Sequence, residues 1–234
     1  MATVVTGYVR LNNGYRGHAR YVELGRRLLG LRLPTIAFFD GDAGPLNPPP
    51  ETEIRGASLQ SCWMYQASRG ANPPPGRPDK DSVDYCVVQH QKTAWIAEAC
   101  RLTGDHAVWI DFGIFHLPSA ISDSHVRRMF TTVEAAPPDR ITLPGIWTMA
   151  DRPLIDWTIP AWYVAGGVAV VPPELAEWFH ETTVDYATLQ IEQSRRATWE
   201  VNTWSAMLRD HPEKFHVYRA DHDQTLFTNY GGHA

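Results

Sequence analysis

The chain has 234 residues, 44% of them hydrophobic and 20% charged, with a formal net charge of −5. That length suits one α/β domain with a full core and is short for two. No lysine/arginine cluster is longer than Arg26-Arg27, Arg127-Arg128 or Arg195-Arg196, so a nucleic-acid-binding face is not expected. No stretch approaches the ~18 uninterrupted apolar residues of a membrane span, and residues 1–10 lack the apolar block of a signal peptide. The three cysteines, Cys62, Cys86 and Cys100, are an odd number without CxxC spacing. They read as reduced thiols, which points to the cytoplasm.

In chain order, Thr3–Val9 is β-branched and aromatic and reads as a strand. Tyr21, Leu24, Leu28 and Leu31 recur at helical spacing over roughly 16–31. Pro34 stops that helix, and residues 35–40 form a short apolar strand ending in Asp40. The unit is strand–helix–strand, whose two strands should run parallel. Residues 41–80 carry two proline runs, Pro48-Pro49-Pro50 and Pro73-Pro74-Pro75, and read as a long loop insertion within a single domain spanning 1–234.

The clearest helix covers 82–102, with Gly104 in the stop position. A strand over 107–111 follows, again ending in an acid, Asp111. Further helices are expected over 122–133, from Pro172-Pro173 onward and over 199–209, and strands over 139–149 and 161–171. Strands alternating with helices imply an α/β fold with a central, mostly parallel sheet.

Ligands of open α/β sheets bind beyond the carboxyl ends of the strands. Asp40 and Asp111 stand at that edge. A carboxylate there either caps the next turn or meets a ribose hydroxyl or a divalent cation. Gly166-Gly167, inside an apolar stretch, marks a bulge, close packing or a ligand pressed on backbone. Glu200 stands at a helix start, where the macrodipole favours an acid and where a catalytic carboxylate could also sit. Asp221-His222-Asp223 is either a solvated turn or a ligand cluster. Trp63, Trp147 and Trp157 fall in irregular segments and could face a sugar. No HExxH, GxSxG, GxxxxGK[ST] or GxGxxG occurs, which disfavours zinc hydrolases, serine hydrolases, P-loop enzymes and dinucleotide dehydrogenases.

Taken in order, Val5-Thr6-Gly7-Tyr8, Lys92…Trp95-Ile96, Trp109-Ile110-Asp111-Phe112-Gly113 and Val164-Ala165-Gly166-Gly167-Val168 resemble glycosyltransferases of the GT-A type, most nearly the bacterial and phage HtrL/WlaTC-like sugar transferases. The resemblance implies a Rossmann-type domain that moves a sugar from a nucleoside-diphosphate donor, a UDP-sugar above all, to a hydroxyl of a glycan or protein. It implies that Thr6, Gly7 and Tyr8 contact the nucleoside, that Lys92 meets base or phosphate, and that Asp111 is the first acid of an Asp-x-Asp element. Gly166 and Gly167 would lie beside donor sugar and acceptor, and Glu200 would act as general base. Gly113 replaces the second acid, so a manganese or magnesium ion would rest on Asp111 with His116, Asp221, His222 or Asp223, His222 being the nearer candidate and His233 in the tail the other, or cationic side chains would neutralise the leaving diphosphate instead. The alternatives are a nucleotidyltransferase of related fold, for which residues 12–17 would form the phosphate loop, and a carbohydrate-binding protein without catalytic activity.

Overall fold

The computed structural model describes residues 1–11, 17–77, 80–117, 121–150 and 152–232. In chain order the elements are β1 (Ala2–Tyr8), α1 (His18–Leu29), β2 (Thr35–Phe39), β3 (Thr52–Gly56), α2 (Met64–Ala67), α3 (Val83–Thr103), β4 (His106–Ile110), α4 (Asp123–Ala135), β5 (Ile141–Gly145), β6 (Val168–Val171), α5 (Pro173–Ser194), α6 (Glu200–Asp210), β7 (Phe215–Arg219) and α7 (Thr225–Thr228). All seven strands join one sheet in the order β3-β2-β1-β4-β6-β5-β7. Pairings are parallel except on the two sides of β6, which runs antiparallel to β4 and β5. The fold is therefore α/β with a mixed, mostly parallel sheet.

Strand alternation sorts the core into two layers. Val5 of β1 and Val9 just after it, Ile36 and Phe38 of β2, Trp109 of β4 and Val171 of β6 pack with Trp95, Phe179 and Trp204 from the α3, α5 and α6 side. Val4, Val108, Ile110, Val168 and Val170 face the other way, against Leu24 and Leu28 of α1 and Met129 and Phe130 of α4. Strands buried on both faces must be apolar throughout, which is why β1, β2, β4 and β6 stand out in the sequence. Helix α3 is covered almost all round, packed on β1 and on α5. It starts at the Ser82 side-chain cap and ends at Gly104, whose φ of 72° is the left-handed conformation that a stop residue needs. No helix among the described residues is long and apolar enough to cross a membrane.

Three departures from the sequence reading have physical causes. The proline-rich stretch 41–80 is not wholly loop, because β3 within it pairs in parallel with β2 and extends the sheet. Its residues are half-buried or exposed, as an edge strand with one wet face allows, so the apolar signal is weak. Strand β7 is read as nothing in the sequence because its pattern mixes His216 and Arg219 with Phe215, Val217 and Tyr218. The expected strand over 161–171 is ordered as a strand only from Val168. Upstream, its backbone bonds elsewhere. The amide of Ala161 donates to the Asn202 side chain at 2.8 Å, that of Ala165 to the Pro144 carbonyl at 2.7 Å, and the Gly166 carbonyl accepts from Lys92 at 2.9 Å.

Gly7 has a packing reason for its missing side chain. An ideal Cβ there would overlap the Trp95 ring, which is stacked between Phe38 and Trp109 at centroid distances of 5.4 Å and 6.0 Å. Gly7→Ala should destabilise the fold by about 1–3 kcal/mol through overpacking, read as a lower urea midpoint with an unchanged slope.

His90 on α3 is fully buried. Its Nδ1 donates to the Cys86 carbonyl at 2.9 Å, since a carbonyl only accepts, and Nε2 then accepts from the Thr203 hydroxyl at 2.9 Å. Burial lowers its pKa below the ordinary 6.5. The unfolded chain therefore binds a proton that the folded chain refuses, and His90 contributes stability above the unfolded pKa that is lost as pH falls through the folded one. Denaturation at pH values from 7 down to about 5 should show His90→Gln losing less stability on acidification than the parent.

Candidate functional site

The site is built where α3 crosses the carboxyl ends of β1 and β4. Lys92 enters it from the buried face of α3 with a side chain only 3% exposed. Its ammonium donates to Asp111 Oδ1 at 2.9 Å, to Glu200 Oε1 at 2.8 Å and to the Gly166 carbonyl at 2.9 Å. Three acceptors saturate the three N–H bonds of a lysine. Burial alone would drive the ammonium neutral, but Asp111 and Glu200 outweigh it and hold Lys92 above the ordinary lysine range.

The cluster explains several residues at once. Asp111 follows β4, its backbone amide donates to the Gly167 carbonyl at 2.9 Å, and its Oδ1 also accepts from the Trp109 indole N–H at 2.9 Å. Glu200 opens α6 and is 7% exposed at its side chain. An ideal Cβ on Gly166 would overlap Glu200 Oε1 and stand 3.3 Å from Lys92 Nζ. Glycine at 166 is thus required by the ion pair. At Gly167 a Cβ would meet only Ile114 at 3.3 Å and Asp111 Oδ2 at 3.8 Å.

Beside the cluster lies a cavity of about 390 Å³, within the size range of small-ligand pockets. Gly7, Tyr8, Lys92 and Asp111, of the residues singled out in the sequence, line it. Thr6, Gly166, Gly167, Glu200 and His222 do not. Thr6 is fully buried on the opposite side of β1 from Gly7, with no hydrogen-bond partner for its hydroxyl among the described residues. The expectation that it reaches the nucleoside therefore lacks a route. Glu200 joins the cluster from behind Lys92. Asp40 does not line the cavity either; its Oδ2 accepts the Arg10 amide at 3.1 Å and fixes the chain as it leaves β1.

One wall of the cavity is aromatic. Tyr8 stacks on Phe112 at 5.4 Å and packs against Tyr21 at 5.2 Å, and its hydroxyl shares a hydrogen bond of 3.0 Å with His18 Nδ1. Burial, reinforced by Tyr21, pushes the Tyr8 phenol up to about 12, so it stays protonated at neutral pH. The mouth carries Arg10 and Lys80, both exposed and neither in an ion pair among the described residues. The sequence reading missed Arg10, His18, Tyr21 and Lys80. Arg10 had a signal, since it directly follows the first strand at the edge where ligands bind; Lys80 had none beyond its place in the proline-rich loop.

The metal expectation fares differently. His222 packs edge-on against Trp162 at 4.3 Å and lies 3.8 Å from Asp221, and it does not line the cavity with Asp111. His233 and residues 12–16 fall outside the described residues. Among the described residues no three His, Cys, Asp or Glu side chains converge as ligands. Asp111 Oδ1 is occupied by Lys92 and Trp109, and Glu200 is committed to the same lysine. His116, which lines the cavity, turns its Nδ1 to the Gly113 carbonyl at 2.6 Å, so Asp111 Oδ2 is the one carboxylate oxygen of the cluster left facing the cavity. This donor set does not fit a resident divalent cation. Trp63, Trp147 and Trp157 do not line the cavity. Trp63 donates its indole N–H to the His90 carbonyl at 3.3 Å and packs as core, and Trp147 carries Arg152 3.8 Å over its ring.

No protein-family model matches the chain, and no curated protein sequence matches it. Its fold is similar to that of the mouse xyloside xylosyltransferase 1 in its apo form, with a TM-score of 0.53 and 9% sequence identity over 93% of this chain and 85% of that one. At that identity the likeness concerns the arrangement of strands and helices.

Removing Lys92 would leave two carboxylates facing each other in a buried space. Lys92→Met should cost about 3–5 kcal/mol, and adding Glu200→Gln should recover part of it. Urea unfolding of the single and double variants checks this, and equal losses would show that the ion pair does not govern the site.

Proposed function

We propose that the chain is a glycosyltransferase that takes a nucleoside-diphosphate sugar, with a UDP-sugar as the first candidate, and passes the sugar to a hydroxyl of a glycan or protein. The observation that carries the reading is the position of the cavity. It opens at the carboxyl ends of β1 and β4 with a carboxylate at its floor, on a fold shared with a protein that bears the name of a xylosyltransferase. The aromatic wall of Tyr8, Tyr21 and Phe112 suits a nucleobase, which has an apolar face to cover.

Within this reading Asp111 is the carboxylate that touches the donor. Its side chain is 32% exposed, and Oδ2 is not used by any described residue, so it can accept hydrogen bonds from ribose or sugar hydroxyls. Glu200, expected as the general base, becomes a positioning residue. Its buried oxygen is spent on Lys92, and holding Lys92 fixes Asp111 at the cavity floor. A second reading, a nucleotide-sugar-binding protein that does not transfer, is favoured by that same locked glutamate.

Incubation with a panel of nucleoside-diphosphate sugars separates the two. A transferase releases free nucleoside diphosphate slowly even without acceptor, and a silent binder is stabilised thermally without releasing any. Asp111→Asn should lower the release rate by at least about tenfold, equivalent to about 1.4 kcal/mol of transition-state stabilisation, measured at a temperature where circular dichroism shows the variant folded, since it also loses one charge partner of Lys92. Absence of both stabilisation and release across the panel would end the proposal.

A further inference from the structure

We propose that the cavity binds the diphosphate of its nucleotide without a divalent cation, because Lys92 occupies the cation position between the carboxylates and because Arg10 and Lys80 meet the phosphates at the mouth. The inference rests on the reading of the cavity as a nucleotide-sugar site and goes beyond it by assigning the phosphate chemistry to this chain's own cations.

Three observations carry it. The first is the internal cation. Where a metal bridges a diphosphate to protein, carboxylate oxygens must be open to hold it. Here Asp111 and Glu200 each give an oxygen to the Lys92 ammonium, at 2.9 Å and 2.8 Å, and the Gly166 carbonyl completes the set at 2.9 Å, so that Asp111 Oδ2 alone would be left to a metal, too few protein oxygens for a resident ion. A divalent ion on Asp111 would stand close to a tethered positive charge that cannot leave, since Lys92 is buried on α3. Removing the lysine from Asp111 would also strip the acid of a partner that the indole of Trp109 alone does not replace.

The second is the surplus charge at the mouth. Among the described cavity residues Arg10, Lys80 and Lys92 are cationic and Asp111 alone is anionic. Lys92 is outweighed within the cluster by Asp111 and Glu200, which leaves Arg10 and Lys80 as the exposed cations with no ion-pair partner among the described residues, two positive charges against one net negative charge of the cluster. Unpaired cations facing one concavity focus its field and attract an anion. An arginine fork suits phosphate oxygens in two-point contact, and a lysine serves as a mobile point charge.

The third is geometry along the cavity. Arg10 follows Tyr8 by two residues at the exit of β1, so the cation stands directly beyond the aromatic wall. Its charge reaches the Tyr8 hydroxyl, where it opposes the upward shift that burial and Tyr21 impose. A nucleoside held along this wall beside Tyr21 would thus carry its diphosphate toward Arg10. Lys80 lines the same cavity and also borders a second cleft with Asp81, Thr158 and Trp199.

The experiment is calorimetric titration of the full chain with uridine, guanosine, adenosine, cytidine and thymidine diphosphates, each in EDTA and in manganese. The expected result is binding of at least one diphosphate with an affinity that agrees within about twofold between the two conditions. Arg10→Ala and Lys80→Ala should each weaken it by about tenfold, and the weakening should shrink as salt is raised. Both side chains are exposed, so these variants are expected to fold as the parent does, which their far-UV circular dichroism verifies. Manganese spectra recorded by electron paramagnetic resonance should show no protein-bound ion with or without the diphosphate. Binding that requires manganese, or that ignores both substitutions, overturns the inference while leaving the glycosyltransferase reading standing. No binding of any diphosphate in either condition overturns both.

Discussion

The arrangement of the sheet's carboxyl edge around the cavity depends on one buried ammonium. Lys92 ties together four parts of the chain that are far apart in sequence: the long helix α3, the turn after β4, the segment before β6 and the start of α6. A buried charge is tolerated only when it is paired and fully hydrogen-bonded, so each partner must stay where it is for the others to remain. The pair confers little stability compared with an apolar packing of the same volume. Its contribution is positional. It holds Asp111 at the floor of the cavity and keeps Gly166 in a backbone path that leaves the sheet.

That constraint also explains the sheet. Strand β6 is the one strand that runs against both its neighbours, and the chain enters it from the Lys92 cluster. The backbone upstream of Val168 is held by Asn202, by Pro144 and by Lys92 in place of a strand neighbour. Irregular backbone at a sheet edge needs such substitutes, since buried amides and carbonyls cannot be left unpaired. Asn202 supplies several of them, accepting from Ala161 and donating to the carbonyls of Ile159 and Asp156 at 2.9 Å and 3.3 Å. The first turn of α6 therefore fixes both the ion pair and the loop beside it.

Much of this is legible in the sequence, and the reasons differ by residue. Doubly buried strands and the cap-to-glycine span of α3 announce themselves by composition. Asp111, Gly166 and Glu200 stand out by position, and they do meet in space. Their roles do not stand out, because the partner that defines them, Lys92, sits 19 residues before Asp111 and 108 before Glu200. The family resemblance points Lys92 at base or phosphate, and only the tertiary fold shows its ammonium turned to Asp111 and Glu200. Gly7 and Gly166 illustrate the same limit. Both glycines look like places for a ligand to approach, and both are filled by the protein itself, by the Trp95 ring and by the Glu200 carboxylate. Strands β3 and β7 are missed for a simpler reason, since the sheet margin needs few apolar residues to hold its pairing.

The overlap between a side chain at 166 and Glu200 has an evolutionary corollary. Lysine at 92, glycine at 166 and glutamate at 200 form a set whose members can be exchanged only together. A descendant that lost the glutamate along with its lysine would be freed to place alanine or serine at 166, and one that kept both would retain the glycine through any amount of drift elsewhere. The triplet would then serve as a fingerprint for distant kin whose overall resemblance has faded below recognition.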